Sequence, residues 1–561
     1  MLRHGTAEAH ISGGEFDVCV IGGGATGAGC ALDAQLRGLK TVLLEGNDFA
    51  SGTSSTSTKL IHGGVRYLEQ AVKELDAAEY KVVRRALHER TRMLRNAPYL
   101  SRTMEFIVPC FDWLTVGYMG FGLKLYDWLA GEARLFPSRF QNRDTTLQHL
   151  PLLKHDHLVG SVVYADGQFD DGRFNLALVK SMVEAGGDAL NHARVLSFER
   201  DARGKLCGVN VENKLTGKSF GLRAKVFVNA TGPWADTIRR LASPAALPRM
   251  RVSKGIHVFL SRDLHQSKSA LLIPKTEDGR VLFAVPWFDR LLVGTTETEV
   301  SLHDEMIVTQ EEVQYVLRHL NHYLETPVRP EQIVSGIAGM RPLVSASHAK
   351  ATRKLARDHE VELDEKSGLV SIMGGKWTTY RAMAEDTINE VQRCLGAGVT
   401  PAKTAEHPLA GSEGYTPEYA KVLEAKFGVV EETARHLSLK FGTRATQVLE
   451  MAGANPEWRE PIVPGFSPIR AEIVYAVREE MAMTIEDVLS RRIGLQLLDW
   501  RASREAAGIT GAFLANELGW SGDFERQAVE SYREKISRML EVAGLPDAQS
   551  AAETSSRNES R

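Results

Sequence analysis

Gly22, Gly24 and Gly27 stand at G-x-G-x-x-G spacing, and Glu45 follows about 20 residues later. Those types at that spacing hold a dinucleotide. The first glycine makes a tight turn, the second admits a pyrophosphate to the backbone, and the third lets a helix approach a strand. A carboxylate at the position of Glu45 can bond a ribose hydroxyl. Next comes a hydroxyl-rich stretch, SGTSSTSTKLIHGGVRYLEQ, over residues 51–70. Its Thr53, Ser54 and Ser55 are expected to line a pyrophosphate and ring with hydroxyls and amides. In the same stretch His62 precedes Gly63 and Gly64, a pair that lets backbone lie close to a planar ring. Arg66 offers a planar fork for a phosphate or carboxylate, and Tyr67 offers a hydroxyl.

The elements that must position these groups are legible too. Residues 16–21 read as a buried strand, and the small residues Ala28, Gly29, Ala31 and Ala34 suit a helix packed closely on a sheet. Thr41–Leu44 reads as the second strand, ending at Glu45. A further strand over 225–229 runs into Ala230-Thr231-Gly232-Pro233-Trp234, which resembles the second signature of FAD enzymes of the D-amino-acid-oxidase type. A third strand over 369–373 leads into Gly374-Gly375-Lys376-Trp377-Thr378-Thr379, and helical spacing follows. A glycine pair with a threonine cap before a helix aims backbone N–H groups at an anionic edge. Segments so far apart suit one long FAD better than NAD, which needs the first alone.

Beyond these motifs, the chain resembles the FAD-dependent, aerobic glycerol-3-phosphate dehydrogenases. The matching segments are IGGGATGAG, SSTSTKLIHGGVRYLE, VNATGPWAD, SKGIHVFL, FAVPWFDRLLVGTTET, GMRPLV and GGKWTTYR, in family order. The resemblance implies an α/β fold: a Rossmann-like FAD-binding domain of the D-amino-acid-oxidase type, an inserted antiparallel-sheet substrate domain, and an all-α C-terminal domain. It implies FAD as cofactor, sn-glycerol 3-phosphate as substrate, dihydroxyacetone phosphate as product and a membrane quinone as final acceptor. It places Arg66, Arg341, Arg357 and Lys376 at the family's cationic substrate positions, with Tyr67 beside them; Arg353 and Lys354 are near rivals of Arg357. Oxidising a secondary alcohol needs hydride transfer from C2 to flavin N5 and a base for the hydroxyl proton. Histidine suits that task near neutral pH. His257 corresponds to the family's substrate-side histidine, with Arg341 and Lys376 as its catalytic companions, while His62 is assigned to the flavin. The same residues would serve an oxygen-using glycerol-3-phosphate oxidase. A related amino- or hydroxy-acid oxidoreductase remains the other alternative.

Composition is that of an ordinary globular chain: 561 residues, 43% hydrophobic, 25% charged and a formal net charge of −3. That balance gives no footprint for nucleic acid. The 5 cysteines are scattered without a C-x-x-C pair, as reduced thiols in a cytosol-facing compartment would be, and no metal-ligand spacing or calcium loop occurs. No secretory signal or mitochondrial presequence is read at the start of the chain. Residues 1–14 are expected to be a mobile tail, and 15–410 a discontinuous FAD domain threaded with a substrate domain, about 80–225 and 245–365 in part. A helical domain is expected over 411–543, with starts at Thr416-Pro417 and Ser467-Pro468 and a capping box at Thr484 and Asp487. A disordered tail is expected over 544–561.

An enzyme that reduces a quinone must touch the bilayer. EYKVVRRALHERTRMLRNAPYLSR is basic along a helical stretch, and FDWLTVGYMGFGLKLYDWLAG is apolar and aromatic. Together they suit peripheral binding to an anionic membrane surface; a solvated helix beside a buried segment is the alternative. The implied location is cytoplasmic, on the inner face of the cell membrane. Oligomeric state is open, a homodimer included.

Overall fold

A computed structural model describes residues 4–64, 77–261, 264, 267–345 and 359–547. Its first strand, Glu15–Ile21, lies between Thr41–Leu44 and Ser219–Asn229, parallel to both. Val18, Cys19 and Val20 are fully buried, as a central parallel strand covered on both faces requires. Leu369–Gly374 extends the parallel set beside Ser219–Asn229, and Asp188–Leu190 extends it beside Thr41–Leu44. Ala193–Arg200, Leu206–Asn213 and His359–Leu363 join antiparallel, completing 8 strands. The helices Ala25–Leu36 and Tyr380–Cys394 pack together on this sheet, with the ring of Tyr380 against Gly29.

A second sheet of 10 strands faces the first. Its long axis is Met250–Leu260 paired antiparallel with Ile333–Val344. The Asp278-Gly279 and Asp289-Arg290 turns give the expected antiparallel meander through Ala270–Ile273, Leu282–Trp287 and Arg290–Gly294. One pairing departs from that pattern, since Ala270–Ile273 runs parallel to Ser101–Cys110. The expected boundaries also shift. Strands between 188 and 224, and His359–Leu363, belong to the FAD-type sheet rather than the inserted one. A tight hairpin folds Leu206–Asn213 back onto Ser219–Asn229 and so keeps them in one sheet.

Residues 4–14 are not a tail. His4–Ile11 is a helix, held by burial of Ile11 beside Phe16 and by His4 Nε2 at 3.0 Å from Asn191 O. After residue 411 the chain is helical as expected, but the helices begin later than the proline signals, at Tyr419 and Ala471. Thr484 and Asp487 bond reciprocally, yet they open a π-helix, Asp487–Arg492, in place of an α-helix. The helical part shares its core with the second sheet: Ile256 and Val258 pack with Ile473, Val488 and Trp500. Ordered packing continues to Leu545, past the expected start of the disordered tail, whose remainder (548–561) lies outside the described residues.

Candidate functional site

The glycine turn opens the helix Ala25–Leu36 as the spacing predicts. Gly22 has φ 108°, and a Cβ there would stand 2.6 Å from Ala230 O. A Cβ at Gly27 would stand 1.8 Å from Gly22 O, so only glycine lets helix and strand meet. Glu45 turns its carboxylate onto the turn: it accepts from Gly23 N at 2.6 Å and from Asn47 N at 2.8 Å. Burial pushes its pKa up, and those two amides oppose the rise.

Residues 52–59 stitch the distant motifs together. Ser54 Oγ accepts from Ala25 N at 2.9 Å, at the head of the motif helix. Thr53 Oγ1 donates to Met340 O at 2.6 Å, next to Arg341 on the second sheet. Trp377 Nε1 donates to Ser54 O at 2.8 Å, bringing in the Gly-Gly-Lys-Trp turn. Thr58 Oγ1 lies 3.0 Å from His257 Nε2, and Lys59 pairs with Asp171. Between these walls runs a cavity of about 480 Å³. It is lined by Gly22, Gly24, Glu45, Thr53 and Ser54 from the first motifs, and by Thr231, Gly232, Gly374, Gly375 and Lys376 from the later ones. Gly232, Gly374 and Gly375 all have positive φ, at 55°, 73° and 76°. A side chain at Gly24 would meet Ser54 Oγ at 2.9 Å and fill the cradle. A bare-backbone cradle at a helix N-terminus, closed by a carboxylate, fits the pyrophosphate and ribose of a dinucleotide.

Beyond the cavity, Arg341 and His257 occupy hollows left by glycines. The Arg341 guanidinium lies across Gly255, where a Cβ would stand 2.3 Å from Nη2. It donates to Thr295 Oγ1 at 2.7 Å and Thr296 O at 3.1 Å. The His257 ring lies on Gly294, where a Cβ would stand 2.2 Å from Cδ2. His257 is 2% exposed, and its Nδ1 has no hydrogen-bond partner among the described residues. Burial, with the Arg341 and Lys59 cations, pushes its pKa down to about 3. His62 lies toward the other cation: burial, then Lys376 and Arg90, push it down to about 4. Its amide donates to Thr378 Oγ1 at 3.2 Å, and Gly63 N donates to the Tyr126 hydroxyl at 2.8 Å. Thr378 therefore faces the His62 loop, and neither it nor Thr379 caps the helix Tyr380–Cys394 by a side-chain bond, contrary to expectation. Ser55 faces Lys59, whose Nζ donates to Ser55 O at 2.7 Å. Arg66, Tyr67 and Arg357, with its rivals Arg353 and Lys354, lie outside the described residues, and Gly64 is the last residue before that break.

Several lining residues carried no advance signal. Arg194, Val195 and Thr237 border the cavity, but none sits in a motif at diagnostic spacing. A buried ionic cluster beside it was equally invisible. Asp48, His192 and Asp487 have ligand atoms within 4.8 Å of one another. The grouping could suit a metal ion, but cations of the chain fill it: Arg491 Nε donates to Asp48 at 2.5 Å, and Arg492 also bonds Asp48. Burial works against the Asp487 charge, yet His192, Arg491 and Arg492 hold its carboxyl well below the usual range.

Cradle, sheet order and second sheet define an FAD-dependent oxidoreductase. A family described as FAD dependent oxidoreductase matches residues 17–381, and the C-terminal domain of alpha-glycerophosphate oxidase matches residues 402–524. The mitochondrial glycerol-3-phosphate dehydrogenase of Bos taurus is 39% identical, over 92% of this chain and 73% of its own length. The probable mitochondrial enzyme of Caenorhabditis elegans is 40% identical, over 93% and 73%. Among solved structures, the glycerol-3-phosphate dehydrogenase from Bacillus halodurans complexed with FAD superposes with a TM-score of 0.78 at 29% identity, covering 97% of this chain and 98% of that one. The chain belongs to the FAD-dependent glycerol-3-phosphate dehydrogenase family.

Proposed function

We propose that the chain oxidises sn-glycerol 3-phosphate to dihydroxyacetone phosphate, with hydride passing from substrate C2 to flavin N5 and electrons leaving to a membrane quinone. The observation that carries this reading is the convergence of Arg341, Lys59 and His257 on one side of residues 52–59 and the FAD cradle on the other. FAD, when bound, supplies the two-electron acceptor. The chain supplies the rest. Gly22, Gly24, Gly27, Glu45, Thr53 and Ser54, with Thr231 and Gly232, hold the dinucleotide, while Ser55 is turned to Lys59. His62, Gly63, Gly64, Gly374, Gly375 and Thr378 frame the ring. Arg341 and Lys376, joined by Arg66, Tyr67 and Arg357, take the phosphate dianion.

His257 is neutral at pH 7, and Thr58 occupies its Nε2. With Nε2–H donating to Thr58, Nδ1 is the ring atom that receives the hydroxyl proton. Burial, then Arg341 and Lys59, lower the affinity of the ring for that proton. An arriving dianion offsets Arg341 and raises it, so the base is strengthened by the substrate it serves.

Access to a bilayer-dissolved acceptor is supported by the helix Trp113–Ala130. It exposes Trp113 (69%), Leu114 (87%), Phe121 (68%) and Trp128 (74%) on one side. Such a face suits shallow insertion at an interface. Among the described residues, no helix is long and apolar enough to cross a membrane. The location this reading implies is cytoplasmic, peripheral on the inner face of the cell membrane. The test is anaerobic reduction of the bound flavin by sn-glycerol 3-phosphate, then reoxidation by a ubiquinone analogue or by oxygen. Rapid bleaching with faster recovery on quinone is expected. Faster recovery on oxygen would make the chain an oxidase, and a flavin that stays oxidised would refute the substrate.

A further inference from the structure

Gly63 has no side chain to hold it and no room for one: a Cβ would stand 2.6 Å from Leu87 Cδ2 and 2.7 Å from the Tyr126 hydroxyl. Its place is set through its amide, which donates to Tyr126 Oη at 2.8 Å. Tyr126 is buried on the inner side of the helix Trp113–Ala130 and donates its own proton to Asp166, 3.0 Å from Oδ1 and 3.1 Å from Oδ2. Asp166 is fixed in turn. Arg90 Nη1 donates to it at 2.6 Å, while Arg90 Nη2 is spent on Ala133 O at 2.7 Å. The phenol has one proton. Committing it to a carboxylate leaves an oxygen lone pair for the Gly63 amide, and the carboxylate polarises that oxygen into a better acceptor. On the other side of the same loop, the His62 amide is tied to Thr378 in the Gly-Gly-Lys-Trp turn. The loop is thus suspended between a flavin-side turn and a surface helix.

We propose that Tyr126 is a positioning residue for the reaction, holding the His62–Gly63 loop at its working distance from the flavin through the Gly63 amide. This rests on the reading that places this loop against the flavin ring. It extends that reading to a residue that touches neither substrate nor cofactor and carries no motif. The outward side of its helix is the exposed aromatic face, so the flavin-side loop is braced from the protein surface.

The test is the Tyr126→Phe holoenzyme, which keeps the ring and loses one hydroxyl. FAD content, the visible circular dichroism of bound flavin, kcat and KM are compared with wild type. Retained FAD with an altered flavin dichroism band is expected, with kcat about tenfold lower or more and KM moved less, as for a reacting pair shifted by a fraction of an ångström to an ångström. An unaltered band overturns the proposal whatever the turnover, because a hydroxyl that only braces the fold leaves the flavin's asymmetric surroundings unchanged. If Tyr126→Phe purifies without FAD, Asp166→Asn is measured instead. It keeps the phenol and weakens its acceptor, and a band shifted from wild type supports the proposal while an unshifted one overturns it. Wild-type flavin that substrate does not reduce would fail the substrate reading alone, since the dichroism comparison needs no substrate.

Discussion

Gly255→Ala tests the substrate reading without removing any group named in it. The new Cβ would lie 2.3 Å from Arg341 Nη2, 2.6 Å from Cζ and 2.8 Å from Nη1. Ordinary carbon contacts begin near 3.5 Å, so the guanidinium must retreat by roughly an ångström. The backbone has no reason to resist, because Gly255 lies in a regular strand without a positive φ, and alanine there trims unfolded-state entropy. The movable part is the end of the arginine, now held by Thr295 Oγ1 and Thr296 O. Misaligning one charged hydrogen bond to a phosphate costs about 1.5–3 kcal/mol, which is about 10- to 150-fold in kcat/KM. A phosphate contact is shared by ground and transition states, so the loss should fall on KM with kcat little changed. Steady-state kinetics with sn-glycerol 3-phosphate and a dye acceptor read this directly, with FAD content and unfolding midpoint as controls. A kcat/KM within twofold of wild type, on a folded FAD-loaded variant, would refute the claim that Arg341 must lie flat on Gly255 to work. An equal fall in kcat would instead place Arg341 in transition-state chemistry.

Lys59→Met should destabilise the chain by about 3–5 kcal/mol, because it strands the buried Asp171 carboxylate; a urea midpoint unchanged from wild type would contradict this. Stability should fall as pH drops from 6.5 toward 4. His257 and His62 are depressed to about 3 and about 4, so the unfolded chain binds their protons first. Asp166, raised to about 6 by burial, works in the opposite sense, with Asp33, Glu45 and Asp171 also raised by burial, while His4 and His407, lowered by burial, add to His257 and His62. Urea midpoints at pH 7.5 and pH 5 check the sign, and His257→Asn should flatten the slope; a parallel slope would refute the assignment. Replacing Trp113, Phe121 and Trp128 by serine should weaken co-sedimentation with phosphatidylglycerol–phosphatidylethanolamine vesicles by about tenfold or more for each side chain that inserts, at about 1.5–3 kcal/mol apiece. Sedimentation equal to wild type would show that this face is not the docking surface.

The sequence made the cofactor half of the site readable because each motif does its work with backbone. Gly22, Gly27 and Gly375 are required by φ or by close approach, and such requirements leave a local signature at fixed spacing. The parallel strands were readable because both their faces are buried, which makes continuous apolar runs. Sheet membership was not. The strands between 188 and 213 carry no local mark of the sheet they join, and only long-range pairing decides which sheet they extend. Side-chain constellations were harder still. Tyr126, Asp166 and Arg90 come from two helices and a strand, and Asp48 meets Arg491 and Arg492 across most of the chain. No spacing encodes such meetings. Thr378 was visible as a threonine after a glycine pair, but capping was the wrong inference, because its hydroxyl is drawn to the His62 amide from another segment.

The Asp48 cluster bears on why a helical domain without any recognisable motif accompanies the cofactor fold. Glu45, which closes the cradle, belongs to a loop held from two sides. Its carbonyl accepts from Ala193 N at 2.7 Å, and Asn47 O accepts from His192 N at 2.6 Å. Asn191 ties Asp48 to the carbonyl of Met481, with bonds of 2.9 Å to each. Arg491 and Arg492 then bring two guanidiniums from the π-helix onto the same carboxylate. At its other end the helical domain supports the second sheet, through Trp500 in the shared core and the Leu498 carbonyl that accepts from Arg290 Nε at 2.8 Å. One element therefore grips the ribose-side loop of the cradle and the back of the sheet that carries His257 and Arg341. On the proposed reading, with the cofactor held by one sheet and the substrate by the other, hydride transfer would tolerate little error between them. A rigid third body bonded to both is a physical means of fixing that distance.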